Sequence, residues 1–289
     1  MYKIIEKRTL APQIFLMDIE APRVAKSAKP GQFIIIKMDE KGERLPLTIS
    51  DYDAERGTVT IVVQTIGCST KEMANYEVGD SFLDFVGPLG QASELMSESI
   101  EELKNKKIVF IAGGLGTAPV YPQVKWLSEQ GIKADVIIGA KAKEYVIMEE
   151  EMKKVAGTVY PCTDDGSYGY KGLVTNKLKE LVQNEGEKYD LVVAIGPMIM
   201  MKFVCKLTEE LGISTIVSMN PIMVDGTGMC GACRLTVDGE TKFACVDGPE
   251  FDGHKVNFEE AMRRQTMYKS QECSKNEGIK PGCGLGGTK

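Results

Sequence analysis

The chain has 289 residues, 43% of them hydrophobic, with a formal net charge of −6 and a pI near 5.2. The length implies about two domains with room for packed cores, and the acidic balance argues against a nucleic-acid binder, which needs a basic patch. No stretch approaches the roughly 20 apolar residues of a membrane span, and the opening MYKIIEKRTLAP lacks the apolar run of a signal peptide, so the expected location is cytoplasmic.

Residues 1–98 read as all-β. The runs Gln32–Lys37, Thr58–Gln64 and Ser81–Val86 are short and rich in β-branched or aromatic residues. Turn signals separate them: Pro30-Gly31, Lys41-Gly42, Arg56-Gly57 and Val78-Gly79-Asp80. Short strands at this spacing predict a small antiparallel β-barrel. Within it, Arg44-Leu-Pro46-Leu47-Thr48-Ile-Ser50 joins a permanent planar cation to a turn-setting proline and two hydroxyls. Such a cation suits a pyrophosphate, though an Arg before a strand also serves as a surface ion-pair residue. Gly67-Cys68-Ser69-Thr70 offers backbone and hydroxyl donors.

The pattern changes in residues 99–219. A charged helical connector, Ser97–Lys106, leads into alternating strands and helices. The strands are Lys107–Ala112, Ala134–Gly139, Thr158–Cys162, Leu191–Ile195 and Ser214–Ser218. The helices are Ala118–Gln130, Ile147–Val155, Leu173–Val182 and Met198–Leu211. This alternation predicts a parallel α/β sheet covered by helices on both faces. Its first strand enters Gly113-Gly114-Leu-Gly116-Thr117, a turn that opens a helix and lets a pyrophosphate approach backbone N–H groups. Gly196-Pro197-Met198 makes a second strand-to-helix turn on the same sheet edge. Asp164, in Thr163-Asp164-Asp165-Gly166-Ser167, stands at a third strand end, where it either contacts a nucleotide or caps the next helix.

Residues 220–260 are rich in Gly, Cys and Asp and too short for a core of their own, so a metal is expected to hold them. Three of the chain's eight cysteines fall here. The order Asp225, Cys230, Cys233, Cys245 follows the plant-type [2Fe–2S] spacing C-x4-C-x2-C with a distant fourth ligand, Asp225 standing in the first position. Gly226, Gly228 and Gly231 let the backbone fold tightly around an inorganic core. A zinc knuckle also begins C-x2-C, but its usual four S or N ligands are missing, since the single His254 stands apart. The scattered Cys68, Cys162 and Cys205 read as small apolar residues. The tail, 261–289, is polar, carries Cys273 and Cys283, and is expected to be partly mobile or docked on a partner.

Taken in order, RLPLTIS, GCST, GPLG at 87–90, GGLGTAP, GPMIMM and the cysteine loop resemble the ferredoxin–NADP reductase superfamily, in its branch with a C-terminal [2Fe–2S] module. Two subfamilies are similar: the electron-transfer subunit of dihydroorotate dehydrogenase B, and the small subunit of NADH-dependent ferredoxin:NADP oxidoreductase. Asp225 in place of a fourth cysteine points to the second, as does Ile195 where many reductases carry Cys before the Gly-Pro turn. The resemblance implies FAD held by Arg44, Pro46, Leu47, Thr48, Gly67, Ser69 and Thr70. It implies NAD(H), with NADP(H) as the alternative, over Gly113, Gly114, Gly116, Thr117, Gly196 and Pro197. It also implies a larger partner subunit with its own flavin and [4Fe–4S] clusters, ferredoxin as an indirect partner, and in some relatives electron bifurcation. Lys141 and Lys143 favour a 2′-phosphate, and Glu144 and Glu149–Glu151 oppose one. The rival readings are a cofactor-free scaffolding subunit and a zinc-stabilised nucleotide-binding module.

Overall fold

The computed structural model describes residues 1–268. The first part holds strands β1 (Tyr2–Ala11) and β2 (Ile14–Glu20), helix α1 (Pro22–Ser27), strands β3 (Phe33–Lys37), β4 (Arg44–Thr48), β5 (Asp51–Asp53) and β6 (Thr58–Gln64), helix α2 (Cys68–Met73), and strands β7 (Ser81–Phe82) and β8 (Asp84–Leu89). They form two antiparallel sheets, β5-β6-β2-β1-β7 and β4-β3-β8. Both close on one core that includes Ile4, Met17, Ile34, Ile36, Ile61 and Phe82. Side chains alternate across a strand, and here both faces are covered. On β3, Ile34 and Ile36 enter the barrel core, while Phe33 and Ile35 enter a second core shared with the rest of the chain. On β2, Ile14 and Leu16 pack against Ala118, Ile147 and Met148 beyond the barrel. Burial on both sides is why these strands read as unbroken apolar runs. The run expected as one strand, Ser81–Val86, breaks at Leu83, where the chain passes from one sheet to the other.

The second part begins with a 3₁₀ turn, Glu94–Ser97, and helix α3 (Ile100–Lys104). Ser99 and Glu102 cap this helix reciprocally. There follow β9 (Ile108–Gly113), α4 (Thr117–Glu129), β10 (Asp135–Ala140), α5 (Glu149–Val155), β11 (Val159–Thr163), β12 (Tyr170–Lys171), α6 (Val174–Gln183), β13 (Leu191–Ile195), α7 (Met198–Leu211) and β14 (Ser214–Ser218). The sheet order is β12-β11-β10-β9-β13-β14, parallel throughout. Every residue of β9 is buried. Ile108, Phe110 and Ala112 face the core under α4, and Val109 and Ile111 face the core under α6 and α7. The chain reverses around β9 and β13, which puts a ligand crevice at their carboxyl ends.

The last part adds β15 (Arg234–Val237), β16 (Glu240–Phe243), β17 (Glu250–Asp252) and helix α8 (Phe258–Arg264). β17 pairs antiparallel with β14 and so becomes the seventh strand of the large sheet. The cysteine-bearing segment therefore does not stand on a core of its own: Cys233, Leu235 and Cys245 share one with Phe33, Ile35 and Val217. Sequence places Ala261–Arg264 in the tail, but here they complete a capped helix. The Glu260 N–H donates to the Asn257 side chain at 3.0 Å, acids occupy the first turn and Arg263 and Arg264 the last. Cys273 and Cys283 lie outside the described residues.

Candidate functional site

The two glycine turns expected to bind a nucleotide meet at the carboxyl edge of β9 and β13. A Cβ on Gly196 would stand 3.0 Å from Gly113 Cα, and one on Gly116 would stand 2.1 Å from the Ile195 carbonyl oxygen. No side chain fits at Gly116, so the entry of α4 lies directly on the neighbouring strand end. Gly114 is different. It has φ +54° and nothing within 4 Å of a built Cβ, so it faces open space at the start of α4. Pro197 is exposed beside it. Asp164 is exposed at the end of β11, and its N–H donates to the Ala140 carbonyl at 3.0 Å. The next residue, Asp165, caps its own loop by accepting from Ser167.

Two residues expected to touch the nucleotide are interior instead. Thr117 is fully buried and donates its hydroxyl to the Gly114 carbonyl at 3.0 Å, which braces the turn from behind. Met198 is 3% exposed and packs in the core beneath α7. Ile195 is likewise core. Of the two lysines weighed for a 2′-phosphate, Lys143 lies over the Tyr168 ring at 5.3 Å. Tyr168 in turn donates to Glu149 at 3.0 Å. Lys141 is exposed.

In the barrel, β4 presents Arg44, Pro46 and Thr48 on one face. Leu45 and Leu47 pack on the barrel core from the other, so Leu47 has only its backbone to offer a cofactor. Pro46 lines a cavity of about 410 Å³ together with Asn220, Pro221, Ile222, Met223 and Met262. Gly67 opens α2, Ser69 donates to Glu43 at 2.7 Å, and Thr70 accepts from the Gly67 N–H at 3.1 Å. Ser50 departs from expectation. It is fully buried, and its hydroxyl donates to the Ala118 carbonyl at 3.2 Å. The cause lies in α4: Pro122 has no N–H, so the carbonyl four residues earlier lacks its helical partner. Ser50 supplies one from the barrel, so its hydroxyl ties the barrel to helix α4.

The cysteine loop lies against the flavin-candidate strand. Arg44 donates to the Asp225 carbonyl at 3.1 Å, and its Nε is buried without a partner. Gly226 has φ +83°, and a Cβ there would stand 2.9 Å from Ile35 on β3. From the other side Arg264 donates to the Ala232 carbonyl at 3.1 Å. Cys233 and Cys245 are buried with their sulfurs 3.2 Å apart, too far for a disulfide. Burial, then the neighbouring Cys233, pushes the Cys245 thiol up to about 12. Cys230 is exposed, and the Ala232 N–H, with those of Asp225 and Val224, holds its thiol below the usual range. The Asp225 carboxyl is lowered chiefly by the Thr227 hydroxyl, then by the Thr227 N–H at 2.9 Å.

Among the described residues no three His, Cys, Asp or Glu side chains gather on one point. The donors come instead as a buried pair, Cys233 with Cys245, and an outer pair, Cys230 with Asp225. Four ligands shared between two irons fall into two pairs, so this donor set fits a binuclear cluster.

Comparison with known proteins agrees with this layout. Residues 220–257 match the iron–sulfur cluster binding domain of dihydroorotate dehydrogenase B, and residues 110–206 match the oxidoreductase NAD-binding domain. A Thermotoga maritima protein described as a dihydroorotate dehydrogenase B electron transfer subunit homolog is 45% identical, over 93% of this chain and 92% of that one. The chain belongs to the dihydroorotate dehydrogenase B electron-transfer subunit family. A Clostridium beijerinckii member, described only as an uncharacterized protein in the adh 3′ region, is 66% identical over 94% of this chain and 92% of its own. A solved NADH-dependent reduced ferredoxin–NADP oxidoreductase structure contains a chain 42% identical, with a TM-score of 0.88, covering 96% of this chain and 98% of that one. The Amycolatopsis cytochrome P450 reductase, at 16% identity and TM-score 0.60, shares the fold alone. The chain is thus a flavin and iron–sulfur oxidoreductase subunit built for FAD, NAD(H) and a cluster, and as an electron-transfer subunit it implies a partner. No helix among the described residues is long and apolar enough to cross a membrane.

Sequence reasoning missed Arg264, Gln123 and Glu250. Arg264 had a signal: Asn257, two acids, then two arginines spell a capped helix. Gln123 and Glu250 carry no motif; only the fold brings them together.

Proposed function

We propose that the chain passes electrons between NAD(H), FAD and a [2Fe–2S] cluster, as the small subunit of an NADH-dependent ferredoxin:NADP oxidoreductase. The Arg44 bond to Asp225 carries this reading, because it joins the flavin-candidate strand directly to the cluster loop. The functional units are residues 1–98 for FAD, 99–219 for the nucleotide and 220–260 for the cluster.

When bound, FAD supplies two-electron exchange with the nucleotide and one-electron exchange with the cluster. The residues position these groups and perform no acid–base chemistry. Arg44, with an unpaired Nε, offers charge to a pyrophosphate. Pro46 and Thr48, on the same face of β4 as Arg44, would hold the flavin, and the cavity beside Pro46 is within the size range of ligand sites. The loop at Gly67, Ser69 and Thr70 completes the flavin site. Gly113, Gly114, Gly116, Gly196 and Pro197 form the nucleotide floor, with the N-terminus of α4 aimed at phosphate, and Asp164 stands at its rim. Asp225, Cys230, Cys233 and Cys245 hold the cluster. NAD(H) is preferred over NADP(H), since Lys143 is already engaged on Tyr168. The larger subunit, with its own flavin and [4Fe–4S] clusters, docks near the exposed Met229–Cys230 edge, and ferredoxin reacts through it.

Anaerobic titration tests this. NADH bleaches the flavin and cluster absorption of the purified chain at lower concentration than NADPH. Absorption that neither nucleotide changes would overturn the proposal.

A further inference from the structure

A carboxylic acid is sealed where the barrel, helix α4 and the cluster-bearing segment meet. Glu250, on β17, is 5% exposed, and its neighbours Ser93 and Gln123 are 2% and 1% exposed. Gln123 Nε2 lies 2.6 Å from Glu250 Oε1, Ser93 Oγ lies 2.9 Å from Glu250 Oε2, and Ser93 Oγ lies 3.0 Å from Gln123 Oε1. The backbone N–H of Glu94 also donates to Glu250 Oε2 at 3.0 Å.

These three side chains form a closed ring of three contacts, and each contact needs a proton. The Gln123 amide supplies one and the Ser93 hydroxyl another. With Glu250 ionised there is no third. The single Ser93 proton then goes to Gln123 or to Glu250, and the remaining contact becomes two facing oxygens in a dry site. A proton on Glu250 completes the ring: Glu250 donates to Ser93, Ser93 to Gln123 Oε1, and Gln123 Nε2 to Glu250 Oε1. Turning the amide over reverses the direction of the ring and still requires that proton.

The surroundings favour the same state. No Lys, Arg or His makes an ion pair with Glu250 among the described residues. From the 3₁₀ turn the charged neighbour is Glu94, of like sign, and Asp252 on β17 faces Glu94 in turn. The α4 helix contributes neutral Gln123, β14 contributes Ser218 opposite Glu250, and the Pro30–Gly31 turn contributes backbone. Burial raises the Glu250 carboxyl above its ordinary range, outweighing the hydrogen bonds from the Glu94 N–H, Ser93 and Gln123 that lower it, and the like charge of Glu94 adds to the rise.

The ring also has mechanical consequences. Ser93 is tied to the barrel by its N–H on the Pro30 carbonyl at 2.8 Å, and Gln91, two residues earlier, donates to the Gly248 and Val246 carbonyls. Gln123 sits on the helix that the glycine turn Gly113–Gly116 leads into. We propose that Glu250 is a positioning residue, held as a neutral acid, that latches the cluster-bearing segment to helix α4 and the barrel. Its importance for electron transfer rests on the function proposed above; its protonation does not.

The sign of the pH effect follows from linkage. The folded carboxyl titrates above the unfolded one, so the folded state holds the extra proton and stability falls as pH rises from the unfolded value through the folded one. Glu250→Gln keeps the ring without a titrating proton, and Glu250→Asp is too short to close it. In the holoprotein, wild-type-minus-E250Q infrared difference spectra near pH 7 are expected to show a protonated carboxyl C=O band that shifts in D₂O. E250Q is expected to melt near wild type at about pH 4, where the unfolded glutamate is still largely protonated, and progressively above it as pH rises, with E250D below both throughout. Carboxyl-¹³C-glutamate NMR of the wild type gives the same answer without a variant: one glutamate remains protonated at pH 7. Only ionised carboxyl signals at pH 7, or an E250Q-to-wild-type difference that does not change with pH, would overturn the proposal.

Discussion

Replacing Ser50 by alanine separates a structural hydroxyl from a cofactor contact. The hydroxyl is fully buried and answers the Ala118 carbonyl at 3.2 Å, which Pro122 leaves without a helical donor. Removing it strands a buried acceptor, at about 1–3 kcal/mol. For a chain of this size that is roughly 2–4 °C of Tm per kcal/mol, so a fall of several degrees is expected in a thermal melt. Flavin content per folded chain should be unchanged. A second substitution sharpens the test. Pro122→Ala returns an N–H to the same carbonyl, so S50A should cost less in the P122A background, with a coupling of at least about 0.5 kcal/mol in the double-mutant cycle. Loss of flavin from S50A at unchanged Tm would refute the reasoning, and so would strictly additive effects.

The nucleotide floor makes two contrasting predictions. Gly114→Ala projects a methyl into open space and incurs about 1–2 kcal/mol of left-handed backbone strain, so it should weaken NADH binding at least tenfold by calorimetry while the chain stays folded. Gly116→Ala drives a methyl into the Ile195 carbonyl and should lower Tm and soluble yield before any binding is measured. Cysteine reactivity follows burial. In chain stripped of metal at pH 8, iodoacetamide should modify exposed Cys230 quickly and leave Cys162 and Cys205, whose thiols burial raises to about 12, unmodified by peptide mapping. Arg264→Ala frees the Ala232 carbonyl and should hasten iron loss to a chelator severalfold, with flavin retained.

Much of the fold was legible because it rests on local rules. The β9 and β13 runs are apolar on both faces, as a central parallel strand must be, and the glycine turns sit at their ends. The barrel was less legible. In β1 only Ile4 and Ala11 are buried, among alternating charges, so its apolar signal is thin. The site residues found facing inward share one cause: a motif names positions, not directions. Thr117, Met198 and Ser50 all fall inside recognisable segments, yet their side chains turn inward because neighbouring elements cover that face. The cysteine segment looked self-contained because its spacing is local. Its attachment runs through β17, three residues whose partner, β14, is invisible without the sheet.

The central claim is that this chain holds both a flavin and a binuclear cluster. Metal, acid-labile sulfide and flavin analysis of the anaerobically purified protein, alongside its visible spectrum, tests it most directly. The account predicts about two irons, about two sulfides and one FAD per chain, with flavin bands over broad iron–sulfur absorption. A colourless protein, or one carrying zinc in place of iron, would contradict it.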